Sequence, residues 1–207
     1  LEYPDSDLPA SLGGLAGFST DPEKNKLATP SGKIEIYSTQ IADFFGTNDP
    51  TAPPIPKYIP NPENRHSDRA SKHPMELMSE HAALSEHQQY HHMSWARDDQ
   101  ATMLNGYIAL GMNPKDAEAR GIKHGDVVRV FNDRGQTLYA ANVTERVKPG
   151  LLLGIDGGNW KPVQPGVPGS LDMGGCANIV LPPIQAEPIC DGMTTWGLVQ
   201  VEKWTGV

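Results

Sequence analysis

The sequence predicts a mainly β domain with a few short helices, built as a small barrel and preceded by an irregular arm. Three observations predict this class. Glycine and proline number 21 and 19 among 207 residues, well above ordinary usage, which favours turns over long helices. The apolar runs are short, rich in β-branched residues and bounded by turn residues, as in barrel strands. Only one or two segments carry the start and stop signals of a helix.

The arm is predicted over residues 1–70. It is rich in Pro, Gly, Ser, Asp and Asn, and the run DPTAPPIP at 49–56 excludes regular structure, because proline lacks an amide hydrogen and restricts the residue before it. An alternating apolar run at 33–37 and a helix at 39–45 interrupt this composition. The apolar residues are too few for an independent core, so we expect the arm to pack on a larger protein.

The barrel is predicted over residues 71–207. Its clearest helix begins after Asn113, which suits an N-cap, with Pro114 at the first helical position and Gly121 at the reversal. A hairpin turn is predicted at 133–135, and a long Gly/Pro-rich loop at 156–175 has the length typical of functional loops. The predicted strands are 74–79, 107–110, 127–132, 136–143, 151–155, 178–181 and 198–202.

Composition excludes several classes of partner. The net charge of −8 argues against a nucleic acid or an anionic membrane, since both need a basic face. No apolar run approaches the roughly 20 residues of a bilayer span, and the first residues lack the basic-then-apolar order of a secretory signal. We expect a soluble chain without direct membrane insertion, cytoplasmic or periplasmic in a bacterium. Two cysteines, Cys176 and Cys190, are too few for an iron–sulfur cluster in this segment.

Five motifs, in chain order, carry a resemblance to a known family. They are TPSGKIEIYS at 29–38, MNPKDAEARGIKHGDVVRVFNDRG at 112–135, VTERVKPG at 143–150, GGCANIV at 174–180 and VQVEKW at 199–204. Together they resemble the C-terminal part of the dimethyl sulfoxide reductase family of molybdopterin enzymes. The resemblance implies a double-psi β-barrel of the aspartate-decarboxylase type, the molybdopterin dinucleotide-binding domain of that family.

The resemblance also implies a cofactor and partners. The cofactor is bis(molybdopterin guanine dinucleotide) with molybdenum, held mainly by preceding domains of the same anaerobic oxidoreductase. The molybdenum ligand comes from an earlier domain, so we expect no catalytic residue in this segment. An iron–sulfur cluster elsewhere in the parent and an iron–sulfur electron-transfer subunit are further expectations.

The predicted contacts with this cofactor lie in two glycine motifs and after one strand. The family's Ser-Pro-His and the His-Ser-Gln that follows correspond here to Ser79-Glu80-His81 and His87-Gln88-Gln89, with Glu and Gln in place of Pro and Ser. Pyrophosphates need glycine loops and backbone N–H groups, and pterin edges need Asn, Gln, His or Thr. These groups reconcile an acidic chain with an anionic ligand. The predicted cofactor-binding residues are Ser79, His81, His87, Gln88, Gly158, Gly175, Asn178 and Thr194.

Other interpretations of these residues were weighed. The cluster His81, His87, His91 and His92 suggests a metal site, but no cysteine or close carboxylate completes a ligand set, so no metal ligand is predicted. The tryptophans at 95, 160 and 196 are expected to pack in a core or an interface more than to line a substrate funnel. The alternative function is a double-psi barrel that recognises a partner without any cofactor. A small stand-alone enzyme related to the aspartate-decarboxylase barrel would need a processing Gly-Ser site near the chain start, and none lies where such maturation requires.

Overall fold

The computed structural model describes residues 13–82, 87, 89, 93–97, 103–156, 158–183 and 195–206. Among the described residues, backbone contacts give two compact units, one up to Ile59 and the other from Pro60 onward. The division into 1–70 and 71–207 stays a prediction.

The first unit contains two short helices, α1 (Gly13–Thr20) and α2 (Thr39–Phe45). The sequence predicted α2, and its ends have the expected chemistry. The Ser38 hydroxyl accepts a hydrogen bond from the Ile41 amide, and Gly46, at φ 87°, ends the helix. Helix α1 was not predicted, because its two leading glycines are poor helix formers. The alternating run at 33–37 forms bends, so alternation alone did not produce a strand there.

The second unit contains the sheet. Among the described residues its strands are β1 (Met75–Glu80), β2 (Met103–Leu104), β3 (Tyr107–Met112), β4 (Val127–Phe131), β5 (Gln136–Val143), β6 (Leu151–Ile155), β7 (Leu171–Asp172) and β8 (Trp196–Lys203). The short helices are α3 (Ser94–Arg97), α4 (Pro114–Glu118) and two 3-10 helices, Asp68–Ser71 and Ala177–Ile179.

Six of the described strands close into a barrel, which confirms the predicted fold class. Their order around the barrel is β3, β6, β1, β8, β4, β5, and β5 pairs back to β3. The pairs β1–β6 and β3–β5 are parallel, and the other pairs around the ring are antiparallel. Because β1 and β6 are parallel, the two chain segments that leave them emerge at the same end of the barrel.

Apolar side chains from the strands fill the interior of the barrel and form its core. Leu77, Leu110, Tyr139, Leu152 and Val199 are completely buried, and each comes from a different strand. Burial of one such aliphatic side chain contributes about 1.5–3 kcal/mol relative to exposure. The barrel is therefore a packed scaffold.

The helix and turn signals read from the sequence are confirmed at α4. The Asn113 side chain accepts from the Lys115 amide as the N-cap, and its Nδ2 donates to the Val147 carbonyl at 2.7 Å. Gly121 takes the left-handed conformation at φ 63° that the reversal requires. The Asp126 carboxylate accepts from the Lys123 amide at 2.8 Å and so fixes its own turn.

The predicted strand at 178–181 is wrong. This segment contains the 3-10 helix Ala177–Ile179, in which the Val180 amide donates to the Ala177 carbonyl. A 3-10 turn places residues three apart on the same side, so Ala177 and Val180 are both buried in one tight turn. The strands β2 and β7 were missed because two residues are too few to show a period.

The three tryptophans for which packing was predicted do not lie in the core. Trp95, Trp160 and Trp196 are 58, 62 and 44% exposed in this chain. The expectation of core packing is wrong for them, and packing at an interface stays a prediction.

Candidate functional site

The end of the barrel where β1 and β6 finish gathers three chain segments. Glu80 lies opposite Ile155 in the β1–β6 register, and the next residue, Asp156, donates its amide to the Glu80 carbonyl at 2.7 Å. The amide and hydroxyl of Ser79 both donate to the carbonyl of Thr195, at 2.9 and 3.2 Å, just before β8 starts. The predicted residue Ser79 thus lies at the junction of these strand ends.

Two predicted histidines meet a carboxylate at this junction. The Nδ1 atom of His87 lies 2.7 Å from Oδ2 of Asp156, and Nε2 of His81 lies 3.4 Å from the same oxygen. The two imidazole rings contact each other edge to face, with centroids 4.9 Å apart. Sequence reasoning missed Asp156, because it lies 69 residues after His87 and only the parallel pairing brings the two together.

The Asp156 carboxylate is the least satisfied polar group of this cluster. Its side chain is 18% exposed, and its second oxygen, Oδ1, is buried without a hydrogen-bond partner among the described residues. A buried acceptor without a donor costs about 1–3 kcal/mol. His87 has φ 53°, a left-handed conformation that is uncommon outside glycine. Such unsatisfied and strained groups are frequent at functional sites.

The two predicted glycine motifs pack backbone against backbone. A Cβ on Gly158, which has φ 38°, would overlap the carbonyl of Gly175 and lie 2.9 Å from the amide nitrogen of Cys176. A Cβ on Gly174 would overlap the carbonyl of Asn159. Only glycine permits this approach. The structure therefore brings the predicted residues Gly158 and Gly175 into contact, next to the strand end that carries Asp156.

A buried carboxylate holds this pair of glycine loops together. Asp172 is completely buried, and its Oδ1 accepts from the Lys161 amide at 2.6 Å. Its Oδ2 accepts from the Cys176 amide at 2.9 Å and from the Thr137 hydroxyl at 2.7 Å. The carboxylate thus connects both loops to the barrel strand β5. Sequence reasoning missed Asp172, since nothing near it distinguishes it from other loop aspartates.

The Cys176 thiol is buried beside this carboxylate. Burial and the neighbouring charge of Asp172 raise the pKa of Cys176. A raised pKa keeps the sulfur protonated, and the thiolate is the nucleophilic form. Cys176 is therefore a small buried residue rather than a nucleophile. Cys190 lies outside the described residues.

Asn178 is exposed on the 3-10 helix that follows the second glycine motif. The hairpin between β4 and β5 supports the end of this helix. Nδ2 of Asn132 donates to the Val180 carbonyl at 2.7 Å, and Nε of Arg134 donates to the same oxygen at 3.0 Å. The Arg134 guanidinium is itself held by two hydrogen bonds to Glu63, at 2.7 and 2.8 Å.

The remaining predicted residues, Gln88 and Thr194, lie outside the described residues, as do His91 and His92. Across the described part of the chain, no helix has the length and apolar character needed to cross a bilayer.

Comparison with known proteins identifies the family of this chain. The family model described as molydopterin dinucleotide binding domain matches residues 77–195. Trimethylamine-N-oxide reductase 1 of Escherichia coli O6:H1 is 36% identical over 207 residues, covering 99% of this chain and 24% of the relative. Dimethyl sulfoxide/trimethylamine N-oxide reductase of Cereibacter sphaeroides is also 36% identical, covering 100% and 24%. Pyrogallol hydroxytransferase large subunit of Pelobacter acidigallici is 35% identical over 192 residues, covering 87% and 22%.

A solved structure shares the fold. Acetylene hydratase from Pelobacter acetylenicus matches with a TM-score of 0.65 at 22% identity, over 86% of this chain and 24% of that one. The chain spans about a quarter of the length of the curated relatives it matches. The resemblance read from the five motifs is confirmed, and the chain belongs to the molydopterin dinucleotide binding domain family.

Proposed function

We propose that this chain holds bis(molybdopterin guanine dinucleotide) with molybdenum as one domain of an anaerobic oxidoreductase. It closes over a cofactor that preceding domains of the same enzyme bind in large part. The observation that carries the proposal is the glycine contact between Gly158 and Gly175, beside the strand ends that present Ser79, His81 and His87.

The residues at this end of the barrel fit such a cofactor. Pterin and guanine rings carry amino and ring N–H donors, and Oδ1 of Asp156, which has no partner among the described residues, is an acceptor for them. The imidazoles of His81 and His87 and the amide of Asn178 are exposed and accept or donate. Glycine backbone allows a pyrophosphate to approach closely without a local positive charge.

Each residue then has a binding role. Ser79, His81 and His87 face the pterin, while Gly158, Gly175 and Asn178 contact the pterin or the dinucleotide, with Gln88 and Thr194 in the adjoining loops. Asp172 acts through these residues, because it fixes the glycine loops. When bound, the cofactor supplies the redox chemistry, and the protein supplies binding, orientation and electrostatics.

The proposal includes the setting of the domain in its parent enzyme. The molybdenum ligand lies in another part of the parent enzyme, and an iron–sulfur cluster or an iron–sulfur electron-transfer subunit delivers electrons to it. The relatives are named as N-oxide and sulfoxide reductases and as a hydroxytransferase. These names do not share one substrate, whereas the family model describes a dinucleotide-binding domain, so a cofactor is proposed for this chain and a substrate is not.

The test uses the parent enzyme produced in a host that makes the cofactor. Molybdenum content, pterin released as its fluorescent oxidation product, and the nucleotide released by hydrolysis are measured for wild type, Asn178→Asp and His87→Ala. We expect guanine nucleotide in wild type and reduced occupancy in both variants. His124→Ala is the matched control, because His124 is exposed in the turn before β4.

Full occupancy and turnover in both site variants would refute the site assignment. A wild-type parent that never copurifies with pterin would refute the function itself and favour the cofactor-free recognition module.

A further inference from the structure

We propose that His81, His87 and Asp156 form a binding site for one divalent transition-metal ion, of the Zn²⁺ class, in the cofactor-free chain. The inference goes beyond cofactor binding and does not depend on it. It rests on the three side chains that the parallel β1–β6 pair brings together.

The spacing of the three side chains suits a common ion. Each offers one ligand atom, and these atoms all lie within 4.8 Å of one another. Ligands at about 2.0–2.1 Å from a tetrahedral Zn²⁺ lie about 3.4 Å apart. From Asp156 Oδ2, the separation of 3.4 Å to His81 equals that value and the separation of 2.7 Å to His87 is shorter by about 0.7 Å. Small rotations of exposed imidazoles are enough to place an ion among them.

The ligand types select the class of metal. Two imidazoles and one carboxylate are a set used by zinc sites that keep a fourth position for water. Imidazole suits Zn²⁺, Co²⁺ and Cu²⁺, whereas Ca²⁺ and Mg²⁺ require oxygen ligands. One carboxylate also lowers the electrostatic cost of a dication, and the chain as a whole carries a net charge of −8.

Two features indicate that the cluster is arranged before any ion arrives. Asp156 is fixed at the end of β6 by the hydrogen bond from its amide to the Glu80 carbonyl, and no donor in the part of the chain that the structure describes reaches its buried Oδ1. His87 contacts the carboxylate from a left-handed backbone, which is unfavourable for a residue with a Cβ. A cation bound to this carboxylate compensates for both costs.

The experiment titrates the metal-free and cofactor-free 207-residue chain with Co²⁺, followed by its visible d–d absorption, and with Zn²⁺ in competition with a chromophoric chelator. We expect one ion per chain for each metal. His81→Ala, His87→Ala and the nearly isosteric Asp156→Asn should each weaken Zn²⁺ binding at least 10-fold. His124→Ala should bind as wild type, and millimolar Mg²⁺ should not displace Co²⁺.

Thermal unfolding with and without Zn²⁺ separates ligand loss from misfolding. A folded Asp156→Asn chain that loses the Zn²⁺-induced rise in Tm supports the site. The inference is overturned if Asp156→Asn and His81→Ala bind Zn²⁺ as tightly as wild type, or if His124→Ala weakens binding equally. Because no pterin is present, none of these outcomes depends on whether the cofactor contacts are correct.

Discussion

Replacing Asp172 with asparagine probes the buried carboxylate that joins the two glycine loops to the barrel. Asp172 accepts three hydrogen bonds, from the Lys161 amide, the Cys176 amide and the Thr137 hydroxyl. Asparagine has nearly the same shape but only one acceptor oxygen, so its NH₂ group must face at least one of these donors. The substitution therefore keeps the volume of the side chain and removes acceptor capacity.

The magnitude follows from the bonds that are lost. A hydrogen bond to a charged group contributes about 1.5–3 kcal/mol, and a buried donor left unpaired adds to its loss. If the amide oxygen keeps the two bonds now made by Oδ2, the Lys161 amide loses its acceptor. We expect Asp172→Asn to lower the free energy of unfolding by about 2–3 kcal/mol. For a chain of this size the midpoint of thermal unfolding should fall by about 4–12 °C.

The assay is urea and thermal unfolding of the 207-residue chain, followed by far-UV circular dichroism. Asp43→Asn is the control, because Asp43 is exposed on helix α2 and such surface changes stay within about 0.5 kcal/mol. In the parent enzyme, Asp172→Asn should also reduce cofactor content. An Asp172→Asn chain that unfolds at the same midpoint as Asp43→Asn would refute the reasoning.

Three further predictions test other parts of the structure. Gly174→Ala should lower the free energy of unfolding by about 3 kcal/mol or more, because its Cβ meets a backbone carbonyl that cannot rotate away. Gly166→Ala, which lies in open space at φ 79°, should lower it by only about 1–2 kcal/mol. Equal midpoints of urea unfolding for the two variants would contradict this expectation. The hydrogen bond from Lys72 lowers the pKa of Asp133 from 3.8 to about 2, so its stabilisation is present above pH 3.8 and is lost as the pH falls through about 2. Asp133→Asn should therefore flatten the acid unfolding profile between these values, and an unchanged profile would count against the ion pair. Tyr139→Phe should leave the free energy of unfolding unchanged or higher, because the buried hydroxyl has no partner among the described residues; a loss above about 1 kcal/mol would show an undetected partner.

The sequence predicted most strands well where a β-branched run ended in strong turn residues. Strand β5, at 136–143, and strand β6, at 151–155, begin and end at the predicted residues. It failed at 178–181, where an apolar run forms a 3-10 turn because Asp172 and the two glycines redirect the chain before it. Local pattern carries no signal for such a redirection.

Some residues of the candidate site could be predicted from the sequence, and others could not. Residue types and motif order pointed to His81, His87 and the glycines, since those features are local. Asp156 and Asp172 were not predicted, because the role of each depends on contacts that the fold creates, with His87 for Asp156 and with Thr137 for Asp172. The contact between Asp156 and His87 exists because β1 and β6 are parallel neighbours, although 69 residues separate the two side chains.

By itself, the sequence determined the fold class, the family and the chemical character of the ligand, because short β-branched runs, glycine turns and motif order are all local properties of the chain. Only the tertiary structure decided which loops share one end of the barrel, and which carboxylates complete the histidine cluster and fix the glycine loops. The physical reason is that a buried carboxylate is stabilised by the hydrogen-bond donors around it. Strand pairing brings such donors to the carboxylate from positions tens of residues away in the sequence.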